Sequence, residues 1–122
     1  MQRRGRLEKV GGLALGFAVG AVWLAGLAQP RTPTYYQDVK PILEAQCVGC
    51  HKPGGIAPFS LTEPQDAVAR AQLIAAVTAS GRMPPWPPGP DSPEFLDQRK
   101  LTEAQKATLA AWAQAGAPLG QK

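Results

Sequence analysis

"CVGCHKPGG", residues 47–55, holds both cysteines and the one histidine of a 122-residue chain. Random placement of three such residues yields Cys-x-x-Cys-His in roughly one shuffle in 7,500, so the spacing asks for a chemical explanation. Four readings are open. A disulfide across two intervening residues closes a very small loop and constrains little of the unfolded chain. A thioredoxin-like redox pair sits beside a β-α-β pattern, and the sequence has none. A structural zinc site takes four ligands, usually cysteine and histidine, and no further residue of either type exists. Covalent haem attachment uses both thiols, Cys47 and Cys50, on the porphyrin vinyl groups and delivers the adjacent His51 to the iron. Only this last reading explains why the histidine stands at the next position.

Upstream of the motif, "YYQDVKPILEAQC" (residues 35–47) puts Val39, Ile42 and Leu43 on one apolar stripe. With Pro41 tolerable in a first turn, the pattern predicts a helix running into Cys47. Downstream, Thr62 and Gln65 have the spacing of a capping box. They predict a second helix, with room for a bend, from about residue 63 to residue 80, closed by Gly81. Thr102 and Gln105 repeat that spacing and predict a third helix carrying Leu109 and Trp112 and stopping at Gly116. Loops are expected over residues 52–61 and over the proline-rich residues 82–100. Nothing alternates as a strand, so the expected fold class is all-α.

At the other end, Arg3, Arg4, Arg6 and Lys9 precede "VGGLALGFAVGAVWLAGLA" (residues 10–28), an uncharged and mostly apolar run of 19 residues. As a helix it would be about 28 Å long, close to the ~30 Å of a bilayer's hydrocarbon core. A cleaved export signal has an apolar core of roughly 7 to 15 residues, although Gly26, Leu27 and Ala28 do offer a small-x-small cleavage pattern. Gly12, Gly16 and Gly20 have the G-x-x-x-G spacing that lets membrane helices approach closely. Residues 1–28 are therefore expected to be a signal peptide or a membrane anchor helix, with the length favouring the anchor. In both cases the basic flank stays in the cytoplasm and everything after Gln29 is delivered outside. Residues 29–34, "QPRTPT", read as a linker, and residues 35–122 as the folded domain. Beyond Lys9 the chain has nine basic and eight acidic residues, which is no footprint for nucleic acid.

That domain is short of core. Fewer than a fifth of the residues after Ala28 are Leu, Ile, Val or Phe, below the roughly 20% under which a chain struggles to bury enough apolar surface. The low net charge and well-formed helix signals argue against disorder. A large apolar cofactor would resolve the conflict.

The motifs "DVKPIL", "CVGCH", "GGIAPFSL", "GRMPPW" and "LTEAQKATLAAWAQAGAP" together resemble the small monohaem domains of the c-type cytochromes, over roughly residues 35 to 119. The resemblance implies a helical domain around one covalent haem c and its iron, with thioether bonds at Cys47 and Cys50, proximal ligation by His51 and distal ligation by Met83. It also implies electron transfer between a redox donor and an acceptor on the periplasmic side of a bacterial inner membrane, not catalysis. Similar domains occur alone or joined to larger periplasmic proteins, copper-dependent monooxygenase-like ones among them, so a copper enzyme or a membrane complex is a candidate partner. Two alternatives are a haem-based sensor or catalyst with an open sixth position, and an electron-inlet subunit of a larger membrane complex. The chain departs from the more familiar soluble cytochromes in lacking a glycine and aromatic pair in the first helix, where Val39 and Leu43 stand.

Met83 is also reached by exclusion: the one other methionine is Met1, and no second histidine exists. Gly81 permits a sharp helix exit before it, and Pro84 and Pro85 stiffen the chain after it. Ile56, Phe59, Leu73, Ile74, Leu109 and Trp112 are the candidate walls of the haem site. Trp86 is expected to brace its loop or shield the haem, while Lys40, Lys52 and Arg82 read as scattered surface charge.

Overall fold

The first helix begins where Asp38 closes its opening turn. One carboxylate oxygen of Asp38 accepts the Thr34 backbone N–H at 2.8 Å, and Arg31 donates to both oxygens, at 2.9 and 2.7 Å. In this computed structural model, which describes residues 30–122, the turn Tyr35–Val39 is π-helical, with the Lys40 N–H reaching back to Tyr35 O. It leads directly into α1, Lys40–Gln46, where Pro41 occupies a start position that needs no N–H. The helix runs into Cys47 as the pattern predicts, with a wider opening turn than the pattern implied. The anchor or signal expected over residues 1–28 lies outside the described residues. Among the described residues no helix is long and apolar enough to cross a membrane.

Hydrogen bonding to Arg31, with help from the Thr34 N–H, holds the Asp38 carboxyl below its ordinary range. A carboxyl whose folded pKa is depressed stabilises the fold above its unfolded pKa of about 4 and loses that contribution as pH falls through the folded value. Asp38→Asn should therefore lower the melting temperature at neutral pH. The gap from wild type should close in acid, as read by circular dichroism.

The single bent helix expected over residues 63–80 is two helices. α2, Pro64–Ala69, and α3, Ala71–Ala79, are separated at Arg70, whose φ of −116° and ψ of 14° leave the helical region. The capping box expected from Thr62 and Gln65 does not form. Ser60 offers a nearer partner, its hydroxyl lying 2.8 Å from that of Thr62, and Glu63 is the residue at the N-cap. Pro64, with no N–H to satisfy, starts the helix instead. Gly81 closes α3 as expected, at a φ of 73° that an L side chain resists. α4, Glu103–Gln114, does carry its capping box: Gln105 N–H donates to the Thr102 hydroxyl at 3.1 Å, and Thr102 N–H to the Gln105 side chain at 2.9 Å. All elements among the described residues are helical, in agreement with the all-α expectation.

α3 packs along α4, and the π-helical turn crosses α4. Tyr35, Val39 and Leu43, four residues apart, meet Leu109, Trp112 and Ala113 in one buried cluster. Tyr35 supplies at the crossing the aromatic ring that Val39 and Leu43 lack, 6.4 Å from the ring of Trp112. The Trp112 indole N–H donates to Pro118 O at 3.1 Å, and the same oxygen accepts the Tyr35 N–H at 2.9 Å. One carbonyl thus ties the tail to both the first and last helices. Trp112 is wholly buried, at 0% exposure, so Trp112→Ala should cost about 3–5 kcal/mol in chemical denaturation. A Trp112→Phe variant should lose less, since it keeps most of the volume but not the bond to Pro118.

Candidate cofactor site

The motif is a tight turn growing out of α1. Cys47 and Val48 N–H both donate to Leu43 O, and Cys50 and His51 N–H both donate to Cys47 O, at 3.1 and 2.9 Å. The following loop folds back over this turn, with Ala57 N–H on Cys50 O at 3.2 Å and Leu61 N–H on His51 O at 2.9 Å. Gly55 comes so close to Cys50 O that a Cβ there would collide with it. The "GGIAPFSL" segment is therefore the strap that holds the histidine.

His51 Nδ1 lies 3.0 Å from the carbonyl oxygen of Phe59. A carbonyl can only accept, so Nδ1 carries a proton, and in the neutral ring the lone pair is then on Nε2. The Phe59 ring packs on the imidazole as well, with 4.6 Å between centroids. Both cysteines are free thiols. Burial first, and then the neighbouring Cys50, push the Cys47 thiol up to about 11. Cys47 is thus a protonated thiol at neutral pH, not the low-pKa thiolate of a redox-active pair. Among the described residues, no three His, Cys, Asp or Glu side chains are grouped to hold a metal ion, so the three motif side chains do not surround one point.

Cys47 and His51 instead share the wall of a cleft. Its volume is about 160 Å³, and its mouth is open to solvent. Leu61, Ile74 and Thr78 are its buried lining. The Thr78 hydroxyl is satisfied by Ile74 O at 2.7 Å, so the lining presents no free polar group there. Phe59 and Val77 are half-buried, and Leu73 is 50% exposed. Met83 completes the cleft from the segment after α3, its backbone N–H fixed on Val77 O at 3.0 Å and the residue 37% exposed. The structure therefore brings Cys47, His51 and Met83 to one cavity, whereas Cys50, half-buried, does not line it.

Three of the six candidate wall residues line this cleft: Phe59, Leu73 and Ile74. The other three do not. Ile56 points outward, at 91% exposure, because Gly55 and Ala57 are drawn onto the motif and leave it at the strap's apex. Leu109 and Trp112 belong to the Tyr35 cluster on α4. Pro58, Leu61, Val77 and Thr78 line the cleft without having been expected. Val77 and Thr78 were within reach of the sequence, since they repeat Leu73 and Ile74 at the helical spacing of four. Arg82, read as scattered charge, lines the cleft too, whereas Lys40 pairs with Glu44 at 3.5 Å on α1. Trp86 braces its loop, edge-on to Phe95 at 5.8 Å. Arg99, whose guanidinium lies 3.3 Å from Cys50 Sγ across 49 residues, had no local signal.

No protein-family model, curated protein or solved structure matches the chain.

Proposed function

We propose that the chain is a monohaem c-type cytochrome that passes single electrons between redox proteins on the periplasmic side of a bacterial inner membrane. The observation that carries the reading is the His51–Phe59 contact: a histidine directly after Cys-x-x-Cys whose Nδ1 is held by a carbonyl, in a residue that lines the same apolar cleft as Met83. A histidine that ligates a metal normally donates its other ring N–H to such a carbonyl, which fixes tautomer and orientation. The remaining residues fit the same group. Cys47 and Cys50 provide the two thiols for thioether bonds, and a cleft with neither buried charge nor unsatisfied hydroxyl suits a flat apolar macrocycle.

When bound, haem c supplies a one-electron couple at its iron. The chain's own residues do the rest. Phe59 keeps the proton on Nδ1, so Nε2 is the donor. With haem in the cleft, Leu61, Leu73, Ile74 and Val77 would exclude water from one side of it, and a low-dielectric surround disfavours the extra charge of the ferric state. Met83 offers a soft thioether, which raises the potential relative to a harder sixth ligand. No other histidine exists to act as an acid or base, which favours a relay over a catalyst. The basic flank and apolar run of residues 1–28 support delivery of the domain outside the cytoplasm. The donor and acceptor are redox proteins, with a copper enzyme or a membrane complex as candidates.

The test is the optical spectrum, in both redox states, of the chain matured with a c-type haem assembly system. Denaturation-resistant haem with a low-spin spectrum in both states is the expected result. Haem that extracts into acidified solvent would overturn covalent attachment, and a high-spin ferrous form would favour the open-site reading.

A further inference from the structure

We propose that Arg70 is a positioning residue for the axial histidine, acting through Phe59; the inference rests on the haem reading above. The guanidinium carbon of Arg70 lies 4.5 Å from the centre of the Phe59 ring. That ring packs on the His51 imidazole at 4.6 Å, and the carbonyl of the same residue holds His51 Nδ1 at 3.0 Å. Phe59 thus governs the imidazole twice, by ring and by backbone, and Arg70 fixes the ring. The attraction of a cation for an aromatic face depends on where the ring lies, so it selects a ring position in a way that a greasy neighbour would not.

Arg70 is itself held. Its Nη1 donates to Asp66 O at 3.2 Å and lies 3.9 Å from the Asp66 carboxylate. Its backbone N–H bonds to Ala67 O and Val68 O, because residue 70 ends α2 and begins α3. The break in the expected helix therefore coincides with the residue that reaches over the strap. Asp66, Arg70, Phe59 and His51 form one connected series from a helix end to the ligand. With haem bound to His51, the series would set the rotation of the imidazole, and the Arg70 cation is separated from that imidazole by the Phe59 ring alone.

The ferric protein's haem-methyl proton shifts report the orientation of the axial imidazole, and redox titration reports the charge. Arg70→Met should retain covalent haem and the wild-type ligand set, but change the haem-methyl pattern. It should also move the ferric-to-ferrous equilibrium about threefold toward ferric, since a nearby cation is lost and Asp66 is left unpaired. Arg70→Lys should restore the equilibrium but not the full pattern, because an ammonium lacks the flat face that stacks on the ring. Phe59→Leu keeps the carbonyl and removes the ring, so it should alter the pattern too. In that background Arg70→Met should alter it no further. Wild-type shifts and potential in Arg70→Met, or an undiminished effect of Arg70→Met on the pattern in the Phe59→Leu background, would overturn this proposal while leaving the haem reading intact. A wild-type chain without covalent haem would overturn both.

Discussion

Replacing Cys47 and Cys50 together by alanine is expected to leave a chain with no denaturation-resistant haem and a poorly held fold. The two sulfurs are the only thiols in the sequence, so thioether attachment has no fallback. The structural consequence follows from how the apolar residues are shared out. The Tyr35–Trp112 cluster is closed to water, but the cleft is not: Leu73 is 50% exposed, and Phe59 and Val77 are half-buried. Covering those three surfaces is worth on the order of 3 kcal/mol, a large part of the ~5–15 kcal/mol that holds a domain folded. Whatever binds only the folded state adds its binding free energy to that state. Far-UV circular dichroism and urea titration of the matured proteins provide the measure. Wild-type stability in the double alanine variant would refute the dependence of the fold on the cofactor, and haem resistant to denaturation in that variant would refute the attachment sites.

The same division explains how much could be read from the sequence. Local signals with a direct backbone meaning carried through: the Val39, Ile42, Leu43 spacing gives a buried stripe, Thr102 and Gln105 close a capping box, and Gly81 ends α3. Thr62 and Gln65 had the same spacing and failed, because Ser60 captured the hydroxyl and Pro64 moved the start. A capping motif describes what can form, and the competing partner decides. Of the four residues singled out for a cofactor, Cys47, His51 and Met83 line one cleft and Cys50 does not. The walls were half legible, since an apolar residue on a helix does not say which of two apolar interiors it enters. Leu109 and Trp112 went to the helix crossing, and Leu73 and Ile74 to the cleft. Contacts between distant segments left no local trace, which is why Arg99 on Cys50 and Arg70 on Phe59 became visible only in the folded chain.

Met83→Ala is expected to remove the sixth ligand and open the iron to small molecules. Met83 is the one methionine of the domain, and it enters the cleft lined by His51 from a segment that is fixed on both sides. Before it, α3 ends at Gly81 in a left-handed turn, and the Met83 N–H is held on Val77 O at 3.0 Å. After it, Pro84 and Pro85 remove backbone freedom. A thioether is a weak ligand, and a stiff segment lowers the entropy lost when it binds. The ferric wild-type protein should therefore have a methionine-to-iron charge-transfer band in the far red, and Met83→Ala should lack it. The reduced variant should bind carbon monoxide readily where wild type does so poorly, and its potential should fall, since thioether ligation favours the ferrous state. Alanine leaves the backbone bond to Val77 in place, so the fold should survive the change. Met83→His separates the two roles of the position: a second imidazole should restore a low-spin spectrum without the far-red band and with a potential below that of wild type. If wild type lacks the band, or Met83→Ala keeps a low-spin spectrum and an unchanged potential, the sixth position is not methionine. The cleft then belongs to an exogenous ligand, and sensing or catalysis becomes the better description of the site.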